Sequence, residues 1–322
     1  MKSSSAPAPS SRAEDRRLRA LRPPKPPVDP WRAHGTKVER ELSPEGALER
    51  SLTVFLSGQE CAFTCAFCDL WRYTTETPTP PGAIPSQLAD ALEEDRRQHP
   101  EAADVIKLYN ASNFFDRSVP ASDDEPIARL MDGISRVVVE CHPKLVGRRC
   151  ASFAERLSGR LEVAMGFETA HPEALRRLNK KAKLEDLARA AGRLRRSGLD
   201  LRAFLLLGVP HVPAAQQMKW LERSVRFALE QGARLVAIIP LRGGEGELAR
   251  LEAAGEWRPP TLGEVEEGFE RARALSPRRV RLDTWDLEVF AAEGDAGPRL
   301  ERRRRQQLEP AAWERSARET PA

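Results

Sequence analysis

Three cysteines, Cys61, Cys65 and Cys68, fall within eight residues in the run Gly-Gln-Glu-Cys-Ala-Phe-Thr-Cys-Ala-Phe-Cys-Asp, a C-x3-C-x2-C triplet just after the apolar stretch Leu52 to Leu56. Three thiolates can hold three irons of a [4Fe-4S] cluster, and the missing fourth protein ligand leaves one iron open to a small molecule. A structural zinc site needs four ligands, usually in short paired spacings. No fourth cysteine or histidine is near, His34 and His99 both lying about thirty residues away. A disulfide cannot use three cysteines evenly, and nothing at the N-terminus resembles an apolar secretion signal. The bland alternative is a group of buried free thiols.

The elements that position this triplet come from the rest of the chain. With 322 residues, 40% hydrophobic and 31% charged, it can bury a full core, which implies one catalytic domain with tails. The sequence holds no run of eighteen apolar residues, so a soluble protein with no membrane partner is expected. Thiol-based iron–sulfur chemistry points to a reducing, cytoplasmic setting. Residues 1–40 carry ten Lys and Arg against four Asp and Glu, and residues 299–322 carry seven against four. With +4 for the whole chain, residues 41–298 are left with −5. The expected organisation is a disordered basic Pro/Ser-rich tail over 1–40, a catalytic core with a closing C-terminal segment over 41–298, and a charged tail over 299–322. Arg302 to Arg305 could touch RNA phosphates, although such a run is more often a solvated helix face.

Inside the core, short β-rich runs alternate with longer helical ones, which argues for βα units around a parallel sheet. Strands are predicted at Leu52 to Ser57, Val105 to Tyr109, Val137 to Glu140, Leu161 to Phe167, Leu201 to Leu207 and Leu235 to Pro240, with a final strand-like segment at Val280 to Trp285. Helices are predicted at Pro85 to Gln98, Pro126 to Ile134, Glu173 to Leu178, Leu184 to Ser197, Ala214 to Gln231 and Leu262 to Ala274. In Ala214 to Gln231, Met218, Leu221, Val225, Ala228 and Leu229 recur at helical spacing and define one buried face. Functional groups of a βα barrel collect where strands run into the following loops. The triplet follows the first strand at that end.

Other strand ends carry polar groups. Asn110, Ala111 and Ser112 follow the second strand, where small residues permit close backbone approach and the polar ones hydrogen-bond, although they are also ordinary turn residues. Glu140, Cys141 and His142 follow the third and could face the same cavity; the plainer reading is a buried thiol and a satisfied histidine. Glu168 ends the fourth, and a carboxylate after an apolar strand needs a partner or caps a helix. Asn179 and Lys180 most simply end a short helix, and Cys150 has no evident partner. Gly208 and Pro210 shape a turn after the fifth strand. Trp285 and Leu287 are read as packing inward to close the open side of the barrel.

The cysteine spacing, with Phe67 immediately before Cys68, resembles the signature of the radical S-adenosylmethionine (SAM) superfamily. The stretch from Gly166-Phe167-Glu168-Thr169 through His171-Pro172-Glu173 to Leu178-Asn179-Lys180, together with Leu205 to Pro210, is similar to its branch containing the Elongator catalytic subunit, methylthiotransferases and archaeosine synthase. The resemblance covers about residues 50 to 245. It implies an α/β fold, a partial (β/α)6 TIM-type barrel, a [4Fe-4S] cluster on Cys61, Cys65 and Cys68, and SAM lying across the strand tops. Its implied contacts to SAM are Phe67, Asn110, Ala111, Ser112, Glu168 and Gly208; the usual Gly-Gly-Glu-like turn is here Asn110-Ala111-Ser112. The implied reaction is reductive cleavage of SAM to a 5'-deoxyadenosyl radical, with a flavodoxin or ferredoxin as one-electron donor. The substrate is read as tRNA or a modified base; the alternatives are a small molecule such as a porphyrinogen or biosynthetic intermediate, or a non-catalytic iron–sulfur or haem chaperone. The −5 core argues against RNA, whose affinity is dominated by phosphate neutralisation.

Overall fold

A computed structural model describes residues 11–291 together with Gly297 and Gln307. Eight strands form one sheet in chain order: β1 (Gly35–Leu42), β2 (Leu48–Leu56), β3 (Val105–Asn110), β4 (Arg136–Glu140), β5 (Arg160–Glu168), β6 (Asp200–Leu207), β7 (Leu235–Pro240) and β8 (Val280–Leu282). All neighbours are parallel except β1, which runs antiparallel to β2. Strands β2 to β7, each followed by helix, make the expected α/β partial (β/α)6 barrel, and β1 and β8 are its added edges.

The helices are α1 (Ser11–Ala20), α2 (Ala83–Gln98), α3 (Asp124–Leu130), α4 (Arg148–Ala154), α5 (Pro172–Arg177), α6 (Leu184–Arg196), α7 (Gln217–Glu230), α8 (Glu247–Ala253) and α9 (Leu262–Leu275). None is long and apolar enough to cross a membrane. Strand alternation divides the side chains into two sets. On β3 to β6 the outward set, including Ile106, Leu108, Val137, Val139, Val163, Met165, Ala203 and Leu205, is buried beneath the helices. The inward set is layered. Arg136, Lys107, Glu162 and Arg202 form a charged floor, Val138 and Ala164 pack with Tyr109 and Phe204 at the waist, and Glu140 and Glu168 stand at the mouth.

Side chains join the two edges of the sheet. The Arg281 guanidinium of β8 donates to the Leu42 carbonyl of β1 at 2.5 Å. Trp285 meets Phe55 of β2 edge-on at 5.1 Å and donates its indole N–H to Glu39 Oε1 at 2.6 Å.

The expected disordered tail over 1–40 is overturned for residues 11–40. Strand β1 lies in the sheet, and its inward residues Lys37, Glu39 and Glu41 are charged, so no apolar alternation marks it in the sequence. Helix α1 buries Leu18 and is tied down by ion pairs described below. Its order comes from tertiary partners rather than composition. The predicted tail over 299–322, including Arg302 to Arg305, lies outside the described residues apart from Gln307, which accepts from the Leu282 backbone N–H at 2.6 Å.

Candidate functional site at the barrel mouth

The loop carrying the three cysteines leaves β2 and is pinned to the loops of neighbouring strands. Gly58–Gln59 pairs with Thr74–Thr75, which closes the loop at its base. At its tip the Ala66 N–H donates to the Leu178 carbonyl at 2.9 Å, and Asn179 Nδ2 donates to the Thr64 carbonyl at 2.6 Å. The cysteines therefore sit over the end of β5. Each keeps partial solvent access while surrounded by protein on most sides, the signature of a recess.

Burial pushes the Cys65 thiol up to about 12, with further increments from the charges of Cys61 and Glu168 against a lowering by Lys180. Cys61 and Cys68 are also raised, burial being the largest cause, and Cys68 feels the charges of both other cysteines. The three sulfurs thus share one electrostatic neighbourhood. Hydrogen bonds reach two of them: Phe63 N–H (3.4 Å) and Asn113 Nδ2 (3.1 Å) donate to Cys61 Sγ, and the Leu70 N–H donates to Cys68.

Opposite the thiols lies the pair that Glu168 requires. Lys180 Nζ donates to Glu168 Oε1 at 2.6 Å with both side chains buried. Burial would lower the Lys180 ammonium, but the charges of Glu168 and Cys65 and the hydrogen bond to Glu168 outweigh it and hold it above its ordinary value. Glu168 is therefore an ion-pair partner rather than a helix cap, and Lys180 is part of the site rather than a helix end. Gly166 makes room for them, since a Cβ there would stand 2.1 Å from Glu168 Oε1 and 2.4 Å from Lys180 Nζ.

Glu168, Asn179, Lys181 and His211 all adopt positive φ, at 60°, 55°, 60° and 68°. Left-handed backbone in non-glycine residues is disfavoured and persists where surrounding contacts over-determine it. The same loops supply those contacts.

Asn110 donates to Ser118 Oγ at 2.9 Å, and its buried Oδ1 has no partner. Ser112 Oγ lies 3.4 Å from Asp116 Oδ2, and Ala111 is half-buried beside it. Enclosure pushes the Glu140 carboxyl up to about 8; the Asn110 backbone and the Lys180 charge oppose the shift only in part. Phe67 packs against a second apolar cluster that includes Leu206, Val209, Leu241 and Trp257. Gly208, at φ 82°, belongs to the same patch: Trp257 donates to its carbonyl at 2.7 Å, and a Cβ on it would meet Pro260 at 2.8 Å.

The structure also assigns the remaining motif residues. His142 accepts at Nδ1 from the Lys144 N–H (3.2 Å), so Nε2 carries the proton and donates to the Lys180 carbonyl at 2.8 Å. Burial and the Lys180 charge push its pKa down to about 3, and Phe63 stacks on its ring at 3.6 Å. It is a neutral, fully bonded peg under the cysteine loop, as the plainer reading of the sequence holds. Cys150 does have partners: its sulfur accepts from the Gly147 N–H at 3.5 Å and donates to the Leu145 carbonyl at 3.9 Å, while the Cys141 thiol in the same apolar core donates to the His142 carbonyl at 3.3 Å.

Sequence reading missed Asn113 and α1, and took Asn179 only as the end of a short helix. Asp15 of α1 accepts from Asn179 Nδ2 at 2.8 Å and pairs with Lys181 at 2.9 Å, Arg17 pairs with Glu247 of α8 at 2.8 Å, and Arg22 pairs with Glu60 at 2.8 Å. Lys25 then donates to Thr74 Oγ1 at 3.0 Å. The N-terminal segment so clasps the cysteine loop to the far side of the mouth.

The donor set fits an iron–sulfur cluster. Among the described residues no three His, Cys, Asp or Glu side chains gather tightly enough to grip a single metal ion. A cluster takes one thiolate per iron and so spreads its ligands. N–H donors aimed at two sulfurs and the nearby Lys180 favour sulfur in its charged, ligating form.

No family model matches the chain. It is 24% identical over 243 residues to the archaeosine synthase subunit beta of Methanosarcina acetivorans, covering 72% of this chain and 69% of that protein. It is 25% identical to an uncharacterised protein of Methanopyrus kandleri over 55% of this chain, and spans only 35% of that protein. Two solved structures share the fold: Elp3 of Methanocaldococcus infernus with an N-terminal deletion (TM-score 0.51, 18% identity, 62% of this chain and 51% of that one) and queuine lyase from Clostridium spiroforme bound to SAM and queuine (TM-score 0.51, 16% identity, 79% and 97%). The chain has the partial barrel of the radical SAM fold, as the cysteine signature implies.

Proposed function

We propose that this chain is a radical SAM enzyme acting on tRNA or a modified base. The observation that carries the reading is the gathering of Cys61, Cys65 and Cys68 at the barrel mouth, in a recess faced by the buried Glu168–Lys180 pair. Bound there, a [4Fe-4S] cluster would pass one electron to SAM and cleave it to methionine and a 5'-deoxyadenosyl radical.

The chain's own residues then bind and orient. Glu168, fixed by Lys180, presents its carboxylate to the ribose or amino group of SAM. The turn Asn110-Ala111-Ser112 offers the unpartnered Asn110 Oδ1 and close backbone approach to the methionine end. Phe67 and the turn at Gly208 border an apolar patch suited to adenine and to exclusion of water. A flavodoxin or ferredoxin would serve as reductant.

The choice of tRNA or a modified base rests on the likeness to the archaeosine synthase subunit. The structure supplies support that composition lacked. Helix α1 carries exposed Arg12, Arg16 and Arg19 to the mouth, next to Lys181, so the −5 of the core is not the charge a substrate meets there. The likeness to queuine lyase, spanning 97% of that enzyme, favours as a second reading a free base rather than one within tRNA.

Anaerobic reconstitution followed by counting of iron, then of 5'-deoxyadenosine formed with dithionite and SAM, tests the chemistry. Four irons per chain and deoxyadenosine release are expected. A fully loaded protein that releases none is a chaperone rather than an enzyme. Binding of bulk tRNA at two salt concentrations tests the substrate, since a complex insensitive to salt, or none at all, removes the tRNA reading.

A further inference from the structure

We propose that Asn113 is a positioning residue for the metal centre: its carboxamide orients Cys61 and donates a hydrogen bond to the coordinating sulfur, which raises the centre's reduction potential. The proposal rests on the cluster reading of the triplet above.

The direction of the amide is decided by its neighbours. The His142 backbone N–H, which can only donate, lies 2.6 Å from Asn113 Oδ1. That contact places Nδ2 on the opposite side, 3.1 Å from Cys61 Sγ, with Asp116 Oδ2 at 3.4 Å near its second hydrogen. Both ends of a buried side chain are thus occupied, and flipping the amide would set two donors against each other at His142.

The support is also rigid. The Asn113 carbonyl accepts from Ser118 Oγ at 2.7 Å, Ser118 Oγ accepts from Asn110 Nδ2, and the Ser118 N–H is held by Asp116 Oδ1 at 2.7 Å. His142 is locked in turn by the Lys180 carbonyl and by the Phe63 ring, two residues beyond Cys61. One side chain therefore ties the first cysteine to the loops after β3 and β4. Among the described residues Cys61 is the triplet member whose sulfur receives a side-chain donor.

An N–H aimed at a cluster sulfur withdraws charge from it and stabilises the more negative, reduced state, so removing the donor lowers the potential. Asn113→Asp is nearly isosteric. It keeps an oxygen for the His142 N–H, deletes the donor to sulfur and adds negative charge. Asn113→Ala removes both contacts. Iron per chain and the midpoint potential, followed by EPR-monitored titration at fixed pH, are the measurements.

Both variants are expected at lower potential than wild type, with Asn113→Asp the lowest. Loss of iron from either variant at unchanged thermal unfolding also supports the role, through misorientation of Cys61. Full iron loading with potentials equal to wild type overturns it. A wild-type chain that takes up no iron overturns the cluster reading itself, and is distinguished because it fails before any variant is compared.

Discussion

Glu41 and Glu140 are enclosed carboxyls at opposite ends of one barrel, and their environments drive them apart. At the floor, Glu41 meets Lys107 at 2.5 Å and Arg202 at 3.6 Å. Enclosure alone would raise its pKa, but those cations bring it down to about 2. At the mouth, Glu140 has no cation in ion-pair contact among the described residues, and enclosure carries it up to about 8. The floor repeats its pattern at Glu162, wholly buried between Arg202 (2.5 Å), Arg234 (3.4 Å) and Arg136 (3.8 Å). The mouth repeats its own in three thiols raised by burial and in the unpartnered buried oxygens of Asn110 and Thr64. Unpartnered buried oxygens occur toward the floor too, on Thr53 and Asp200, so the contrast rests on charge: floor carboxyls are held by cations, whereas Glu140 and the thiols at the mouth are not, as at a site arranged for a ligand. The difference separates a structural charge network from a functional one built on the same strands.

The sharpest test of this division is Cys65→Ala. It should abolish iron uptake, the visible absorption of the loaded protein and deoxyadenosine formation, while the apoprotein melts within a few degrees of wild type. Glu162→Gln should do the reverse. Leaving arginines buried without their carboxylate costs about 3–5 kcal/mol, read from urea unfolding, while the protein that remains folded still takes up iron. Comparable stability losses from both variants would erase the contrast.

Glu140→Gln probes the mouth through pH. The folded state holds a proton on Glu140 up to about pH 8, whereas an unfolded carboxyl releases it near 4.5. Its favourable contribution is therefore complete below pH 4.5 and is lost as pH rises toward 8. The glutamine variant of the apoprotein should match wild type near pH 4 and exceed it at pH 9 by on the order of 1–3 kcal/mol. A gap that widens toward acid would contradict the assignment.

Gly166→Ala should displace the Glu168–Lys180 pair and weaken SAM binding by about tenfold, or 1.4 kcal/mol, with iron content unchanged. Equilibrium dialysis on the loaded protein reads this. The smallest effect is expected from Asp15→Ala, which releases α1 from Asn179 and Lys181. Global stability should fall by less than about 1 kcal/mol, as for other partly exposed pairs, while residues 11–30 become faster to cleave by trypsin. Unchanged cleavage would mean that Arg17, Arg22 and Lys25 hold the segment without it.

Much of this architecture was readable in the chain. Five of the six predicted barrel strands match to within one residue at each end, because β-rich runs with buried outward faces alternate with helical periods. The strand-end positions of the triplet, Glu168 and Gly208 were legible because local sequence fixes where each strand stops. Leu52 to Ser57 was drawn four residues short at its start, since Leu48 to Ser51 reads as polar until β1 is laid against it.

What sequence alone determined are local properties: the cysteine spacing, the order of strands, and the need of a carboxylate after an apolar strand for a partner. Which partner it took was decided only by tertiary structure. Lys180 reaches Glu168 by a turn that backbone strain at Asn179 and Lys181 makes unreadable from composition. Asn113 meets Cys61 from 52 positions away, and Asp15 meets Asn179 from 164. Contacts of that separation leave no local periodicity, because they exist only once the sheet has brought the ends of its strands to one edge.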